Sequence, residues 1–175
     1  MINSRLAYRT RQFWLTLFGP QKKVDLPALR PYLLPAQIVL FQRMHPSEQA
    51  HAVRVMQRLQ AAGHGEPELL SAALLHDVGK ILSPLAAWER VAIVLGRHFF
   101  PGAVRRWSQG APRGLHHPFV VAERHPAWGA DLAAQTGASE RTIDLISRHQ
   151  EPLPGPPRSQ TERMLAALQS ADDSD

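Results

Sequence analysis

Apolar residues recur through most of the chain at the spacing of one helix face. In residues 48–63 they fall three or four positions apart and form a single stripe that ends at Gly63: Ala52, Val55, Met56, Leu59 and Ala62. His51 precedes Val55 by four residues and therefore lies at the edge of the stripe. The pattern predicts a helix that begins after Pro46-Ser47 and buries this face.

The next apolar run predicts a second helix with clear boundaries. It opens at Glu66-Pro67, since proline is tolerated in the first turn, continues to His76 and Asp77, and ends at Gly79. A further helix is predicted over residues 86–95. Residues 99–118 are rich in Gly, Pro and Arg, so they predict a long connection with room for one short helix. Long ordered connections are often lids or binding loops.

The last third of the chain predicts three more helices, over residues 119–135, from Ser139 to His149, and from Ser159 onwards. The proline-rich stretch 151–159 cannot be helical and predicts a stiff loop. Ser159 is followed by Glu162 at the spacing of a capping box. Strand patterns are nearly absent, so the predicted fold is an all-α, single-domain helical bundle.

Composition narrows the class of protein. The chain has 175 residues, of which 44% are hydrophobic and 20% charged, as is typical of a globular domain. We expect one compact unit, with residues 1–46 as an N-terminal helical extension packed on a core of residues 47–175. The absence of cysteine excludes disulfides, thiolate metal sites and a cysteine nucleophile.

The sequence offers no membrane-spanning segment, because no apolar run approaches the roughly 20 residues that a bilayer requires. A cytoplasmic location is expected, and the absence of cysteine permits a reducing compartment. Basic residues precede four apolar ones in residues 1–18: Phe13, Trp14, Leu17 and Phe18. This segment predicts a surface helix that packs on the domain, with weak peripheral membrane contact as the alternative.

The charge leaves the kind of partner open. The net charge is +5 and the pI about 10.4, which favours an anionic partner, but scattered arginines are equally typical of a basic proteome. No run of Lys or Arg with interleaved aromatic residues indicates nucleic-acid binding.

Six residues are candidates for a metal site: His51, His76, Asp77, His125, His149 and Asp172. Each histidine taken alone is more often a hydrogen-bonded core or surface residue. The arrangement is more informative, since several predicted helices each direct one or two nitrogen or oxygen ligands inward, as helical-bundle metal sites do. A carboxylate such as Asp77 in an apolar helix is costly unless it meets cations.

The motif around this pair resembles a known signature. LLHDVGK (74–80) closely resembles that of the HD-domain superfamily, whose metal-binding pattern reads H…HD…H…H…D. The outer positions resemble the rest of the pattern in order: His51 in SEQAHAVRVMQRL, His125 in RHPAWGADLA, His149 in ISRHQEP, and Asp172, with Asp173 as the second choice, in LQSADDS. The resemblance covers residues 47–173.

The resemblance implies a helical, metal-dependent phosphohydrolase or phosphodiesterase that acts on a nucleotide or another small phosphate ester through a metal-activated hydroxide. One divalent ion would be held by four ligands: His51, His76, Asp77 and Asp172. A second would be held by His125, His149 and a bridging Asp77. These ligands contain no sulfur and suit Mn, Fe, Zn, Ni or Co.

Lys80 is a second catalytic candidate beside Asp77. It could donate to the substrate phosphate, or it could be an ordinary lysine that complements the dipole at a helix C-terminus. Three arginines are weaker candidates for phosphate binding: Arg113, Arg124 and Arg148. Arg124 and Arg148 each precede a proposed ligand, which points them away from it. For His116 and His117 a solvated loop is favoured over a place in the site.

Two other functions are alternatives. Some HD-domain proteins are di-iron oxygenases, which resemble this chain in the same six ligands. Others are non-catalytic metal-binding signalling modules, and the intact set of ligands counts against this alternative. The cyclic-dinucleotide enzymes with a GYP signature are disfavoured, because this chain has RHQEPLPGPP where they carry HHExxDGxGYP. The substrate, the metal and the oligomeric state cannot be predicted from the sequence.

Overall fold

The structure, a computed structural model, describes residues 24–174. Within them it contains eight α-helices and no strand, so the predicted all-α fold is confirmed. The helices are α1 (Pro35–Gln42), α2 (Pro46–Ala61), α3 (Pro67–Leu75), α4 (Ala87–Phe99), α5 (Pro101–Trp107), α6 (His117–Gln135), α7 (Glu140–Arg148) and α8 (Gln160–Asp173). Three 3-10 segments accompany them: Pro27–Leu29, Val78–Leu82 and Gly114–His116. No helix of this part of the chain is long and apolar enough to span a bilayer.

Helix α3 is the centre of the bundle. All seven residues from Leu69 to Leu75 are buried, whichever way they point. A helix that is apolar all round must be covered on every side, and α3 packs against α2, α7 and α8. The residues that follow α3 are therefore delivered into the interior of the protein.

The predicted face of α2 is confirmed with one exception. Its stripe is buried through Leu59, but Ala62 is exposed because α2 ends at Ala61. Gly63 adopts a left-handed φ of 89°, and its N–H donates to Gln60 O at 3.0 Å. His64 N–H donates to Leu59 O at 3.0 Å, which completes a Schellman motif and turns the chain away from the core.

The predicted turn and cap signals of the last three helices are confirmed. Gly137, at φ 80°, ends α6, and Ala138 N–H donates to Ala133 O at 3.0 Å. Ser139 then caps α7 by accepting from Thr142 N–H. The capping box of α8 is formed by two side chains, Ser159 and Glu162. Between α7 and α8 the proline-rich stretch 151–159 has no helix.

The prediction that the second helix continues through Asp77 to Gly79 is wrong. Helix α3 ends at Leu75, His76 is its C-cap, and the chain then tightens into the 3-10 segment Val78–Leu82. The cause is the close approach of this segment to α6: a Cβ added at Gly79 would lie 2.0 Å from His125 O. The His76-Asp77 pair therefore lies at a bend and not inside a helix.

Two other boundaries differ from prediction. Helix α6 begins at His117 and not at residue 119. Helix α4 extends to Phe99 instead of ending at Leu95. The connection 99–118 contains the one short helix for which the sequence left room, α5, followed by the 3-10 segment Gly114–His116.

The described part of the predicted N-terminal extension contributes to the core. Five of its residues belong to the main apolar cluster: Leu29, Leu33, Leu40, Phe41 and Met44. The division at residue 46 stays a prediction. The surface helix predicted around Phe13 and Trp14, with its alternative of membrane contact, lies outside the described residues.

Candidate metal centre

The bend after α3 brings all six candidate residues together. Their ligand atoms form two groups, each within 4.8 Å: His51, His76 and Asp172 in one, and Asp77, His125 and His149 in the other. The residues come from α2, from the C-terminal ends of α3 and α7, and from α6 and α8. Five helices thus converge on one point.

The first group is organised around the Asp172 carboxylate. Its Oδ1 atom lies 2.9 Å from His51 Nε2 and 3.6 Å from His76 Nε2. Asp173, the second choice for the last ligand, is exposed and belongs to neither group. Helix α8 therefore presents Asp172 to the centre.

The second group is almost wholly buried and is joined to the first by Asp77. Asp77 Oδ1 lies 3.2 Å from His125 Nε2, which is itself 3.3 Å from His149 Nε2. The other carboxylate oxygen, Oδ2, lies 3.6 Å from His76 Nε2 in the first group. Asp77 therefore stands between the two groups, as a bridging ligand must.

The protonation of the three buried histidines tests whether a metal ion fits. The Nδ1 atom of each lies within 3.0 Å of a backbone carbonyl: Ala73 O for His76, Val121 O for His125 and Ile146 O for His149. A carbonyl only accepts, so each Nδ1 carries a proton, and the Nε2 atoms face the centre with their lone pairs in the neutral ring. Metal-binding histidines are commonly oriented in this way.

The inward Nε2 atoms of these three histidines have few partners within the described protein, and the amide nitrogen of Gln150 lies 3.5 Å from His125 Nε2. His76 Nε2 is buried without a hydrogen bond from residues 24–174. His125 Nε2 and His149 Nε2 face each other, although two lone pairs repel at this distance. An unsatisfied buried polar atom such as His76 Nε2 costs about 1–3 kcal/mol, and a cation would accept all three lone pairs. The donor set therefore fits a divalent metal.

The electrostatic environment keeps the ligands in their metal-binding forms. Burial acts to raise the pKa of Asp77, but the Lys80 ammonium beside it acts in the opposite direction, and the pKa lies well below its ordinary value. Burial lowers the pKa of both His125 and His149. Near neutral pH the carboxylate is thus ionised, and these two imidazoles are neutral.

Lys80 lies beside the proposed bridging ligand. Its Nζ atom is 2.6 Å from Asp77 Oδ2. Helix α3 ends at Leu75, and Lys80 lies in the last turn of the 3-10 segment Val78–Leu82 that follows it. Lys80 also lines the adjoining cavity, so its contact with a substrate phosphate stays a prediction.

A cavity of about 280 Å³ opens beside the two groups. Three of the six candidate residues line it, His51, Asp77 and His125, together with side chains that sequence reasoning missed: Ser47, Glu48, Arg90, Arg97 and Gln150. Arg90 is paired with the Glu48 carboxylate at 2.9 Å, and Arg97 Nη2 lies 3.3 Å from Gln150 Oε1. The signal was available, since two arginines seven residues apart share a helix face.

The weaker candidates lie elsewhere. Arg113 and Arg124 are exposed and outside this cavity, and Arg148 pairs with Asp144 at 3.2 Å and with Glu151 at 3.3 Å. As predicted, Arg124 and Arg148 point away from the ligands that follow them.

The favoured solvated-loop interpretation is wrong for His117. This residue begins α6 and is half-buried, with Nδ1 at 2.5 Å from Glu89 Oε1 and Nε2 at 2.7 Å from Ser83 Oγ. It therefore ties α4 to α6. His116 is exposed and stacks on Trp107, with ring centroids 5.9 Å apart.

A comparison with models of protein families identifies the family of this chain. The family model described as HD domain matches residues 49–175, and the chain therefore belongs to the HD-domain family. Searches among curated proteins and among solved structures gave no match. HD domains are in general metal-dependent hydrolases that bind divalent ions, in agreement with the donor set found here.

Proposed function

We propose that this HD domain is a dinuclear metal-dependent phosphohydrolase whose substrate is a small phosphate ester such as a nucleotide. One observation carries the proposal: two groups of nitrogen and oxygen ligands are joined by Asp77, and the buried His76 Nε2 atom between them has no hydrogen bond from the described residues. The imidazole and carboxylate ligands favour Mn, Fe, Zn, Ni or Co.

In this proposal one ion would be held by His51, His76 and Asp172, and the other by His125 and His149. Asp77 would bind both. Divalent ions in such a site lower the pKa of bound water toward neutrality and polarise phosphate oxygens. The protein fixes the ligands before the ions arrive, because three of the four imidazoles are oriented by backbone carbonyls. The site therefore requires little rearrangement to form.

The cavity supplies the complement to a phosphate group. Lys80 and Arg97 both line it. Arg97 donates a hydrogen bond to Gln150 Oε1, and Lys80 forms an ion pair with Asp77. Cations on the wall beside a metal centre stabilise the charge that develops on a phosphoryl group during hydrolysis. The apolar part of the wall, Leu85, Ile93 and Val94, suits the organic part of the ester.

The experiment is a hydrolysis assay of the metal-loaded chain over a panel of nucleotides, phosphomonoesters and phosphodiesters. Asp77→Asn should abolish hydrolysis and lower the metal content, whereas Asp144→Asn, which removes a carboxylate on the exposed side of α7, should leave both unchanged. Full activity in Asp77→Asn would refute the proposal. Metal binding without hydrolysis of any ester in the panel would also refute it, in favour of a different use of the same centre.

A further inference from the structure

Helix α4 carries an apolar strip that the described protein does not cover. Trp88, Leu95 and Phe99 are seven and four residues apart and therefore share one helix face. They are exposed by 57%, 50% and 63%. Helix α4 packs on the protein through a different face, where Glu89 is buried and Gly96 lies against the Phe119 ring. The strip thus points outward.

Exposed apolar residues are concentrated in the stretch of sequence that contains this strip. Of the nine large hydrophobic residues that are exposed within residues 24–174, seven lie between positions 82 and 115: Leu82, Trp88, Val94, Leu95, Phe99, Phe100 and Leu115. Single exposed apolar residues are normal on a protein surface, but a concentration of them marks an interaction site. Phe99 and Phe100 stand at the junction of α4 and α5, with ring centroids 6.5 Å apart.

The same segment is strongly basic. Residues 90–122 contain five arginines and no Asp or Glu. Four of the five are exposed: Arg97, Arg105, Arg106 and Arg113. Among the described residues only Arg90 of the five has a carboxylate partner. Arg90 and Arg97 lie on the face of α4 that lines the cavity. The positive charge of Arg105, Arg106 and Arg113 is not neutralised by a carboxylate of the described residues.

We propose that the outer surface of α4 and α5, formed by Trp88, Leu95, Phe99, Phe100, Arg105 and Arg106, binds the face of an anionic lipid membrane. Aromatic and aliphatic side chains enter the boundary between headgroups and acyl chains, and arginines bind the lipid phosphates and carboxylates. A second copy of this chain is the less favourable partner, because it would bring two unneutralised arginine clusters together. The positive charge of the exposed arginines therefore favours an anionic lipid surface over a second copy of the chain.

This surface is separate from the proposed metal centre. The cavity wall is formed by another face of α4, which carries Arg90, Ile93, Val94 and Arg97. Variants in the outer strip therefore leave the metal ligands and the cavity wall intact. Membrane binding and metal binding can be lost independently of each other.

The test is co-sedimentation of the full chain with vesicles of phosphatidylcholine alone and of phosphatidylcholine with about 30% phosphatidylserine. We expect at least tenfold stronger binding to the anionic vesicles, which weakens as the salt concentration is raised. Leu95→Asp/Phe99→Asp should reduce it at least tenfold. Arg105→Gln/Arg106→Gln should reduce it about fivefold for each arginine. Val39→Asp, at a 60% exposed apolar residue of α1, is the matched control and should bind normally.

Three results would overturn the proposal. The first is equal binding to both kinds of vesicle, or none to either. The second is normal binding by both double variants together with loss of binding in Phe13→Asp/Trp14→Asp, which would assign the contact to residues 1–18. The third is a dimer in sedimentation velocity that Phe99→Asp dissociates, which would assign the surface to a second copy. Unchanged circular dichroism and metal content in each variant establish that the fold is intact.

Discussion

Replacing Gly79 with alanine tests how the metal centre is built, because this glycine sets the distance between the His76-Asp77 bend and α6. The added Cβ would lie 2.0 Å from His125 O, 2.7 Å from Gly129 N and 2.9 Å from His125 C. All three neighbours are backbone atoms of α6, so no side-chain rotation relieves the contact. The 3-10 segment and α6 must therefore separate.

The size of the effect follows from these distances. Moving the Cβ from 2.0 Å to an ordinary contact of about 3.4 Å requires the two backbones to separate by roughly 1 Å or more, and overpacking of this kind costs about 1–3 kcal/mol. For a chain of this length that cost corresponds to a decrease in Tm of about 3–10 °C. The same displacement moves Asp77 away from His125, so affinity for the ion in the second group should fall about 10–100-fold.

Chemical denaturation followed by tryptophan fluorescence measures the free energy of unfolding, and calorimetric titration with Mn²⁺ measures the affinity. Gly102→Ala is the matched control, because its Cβ meets no atom within 4 Å and it lies in α5, where alanine is the better helix former. We expect Gly102→Ala to be unchanged or slightly stabilised. Wild-type stability and wild-type Mn²⁺ affinity in Gly79→Ala would refute the packing argument.

Three further predictions concern stability. Leu168→Ala, at a fully buried position of α8, should lower the free energy of unfolding by about 2–5 kcal/mol in urea denaturation. The control Val39→Ala, at an exposed site, should change it by less than about 0.5 kcal/mol. Equal effects of the two variants would contradict the assigned core. Ser159→Ala removes the oxygen that accepts from Glu162 N–H and should cost about 1 kcal/mol in the same assay, so an unchanged midpoint would argue against the cap. The backbone N–H groups of Arg158 and Ser159 lower the pKa of the Glu162 carboxyl. The contribution of Glu162 to stability is therefore present above the pKa of the unfolded state and is lost as the pH falls through the lower pKa of the folded state. An NMR titration that gives an ordinary glutamate pKa would contradict this hydrogen bonding.

Features of the fold that depend on local signals could be predicted from the sequence. The buried stripe of α2 follows from spacing alone, and the capping box from Ser159 and Glu162. Gly137 ends α6 because its left-handed φ suits glycine better than any other residue. In each case the determining atoms lie within a few residues of one another.

Features that depend on contacts between distant segments could not be predicted. Gly79 looked like the end of a helix, because nothing in LLHDVGK indicates that α6 lies against it. His117 looked like part of a solvated loop, because its partners, Glu89 and Ser83, are 28 and 34 residues away in the chain. The shared helix face of Arg90 and Arg97 follows from their spacing, but its position in the wall of the cavity depends on how α4 packs on the rest of the protein.

The residues of the candidate site could be predicted from the sequence, but their geometry could not. The six residues could be chosen because the order of the motif is visible in the sequence, although their convergence depends on packing. The orientation of three imidazoles by backbone carbonyls, and the position of Asp77 between the two groups, required the structure. These features are also the ones on which the proposed function depends.

The most direct test of the central claim is the ratio of metal to protein in the purified full chain, measured by inductively coupled plasma mass spectrometry. Wild type should contain about two divalent transition-metal ions per chain. His125→Ala should retain one, Asp77→Asn should lose both, and His98→Ala, an exposed histidine of α4, should match wild type. A wild-type chain without metal after expression with added Mn and Fe, or equal metal content in all four proteins, would contradict the account.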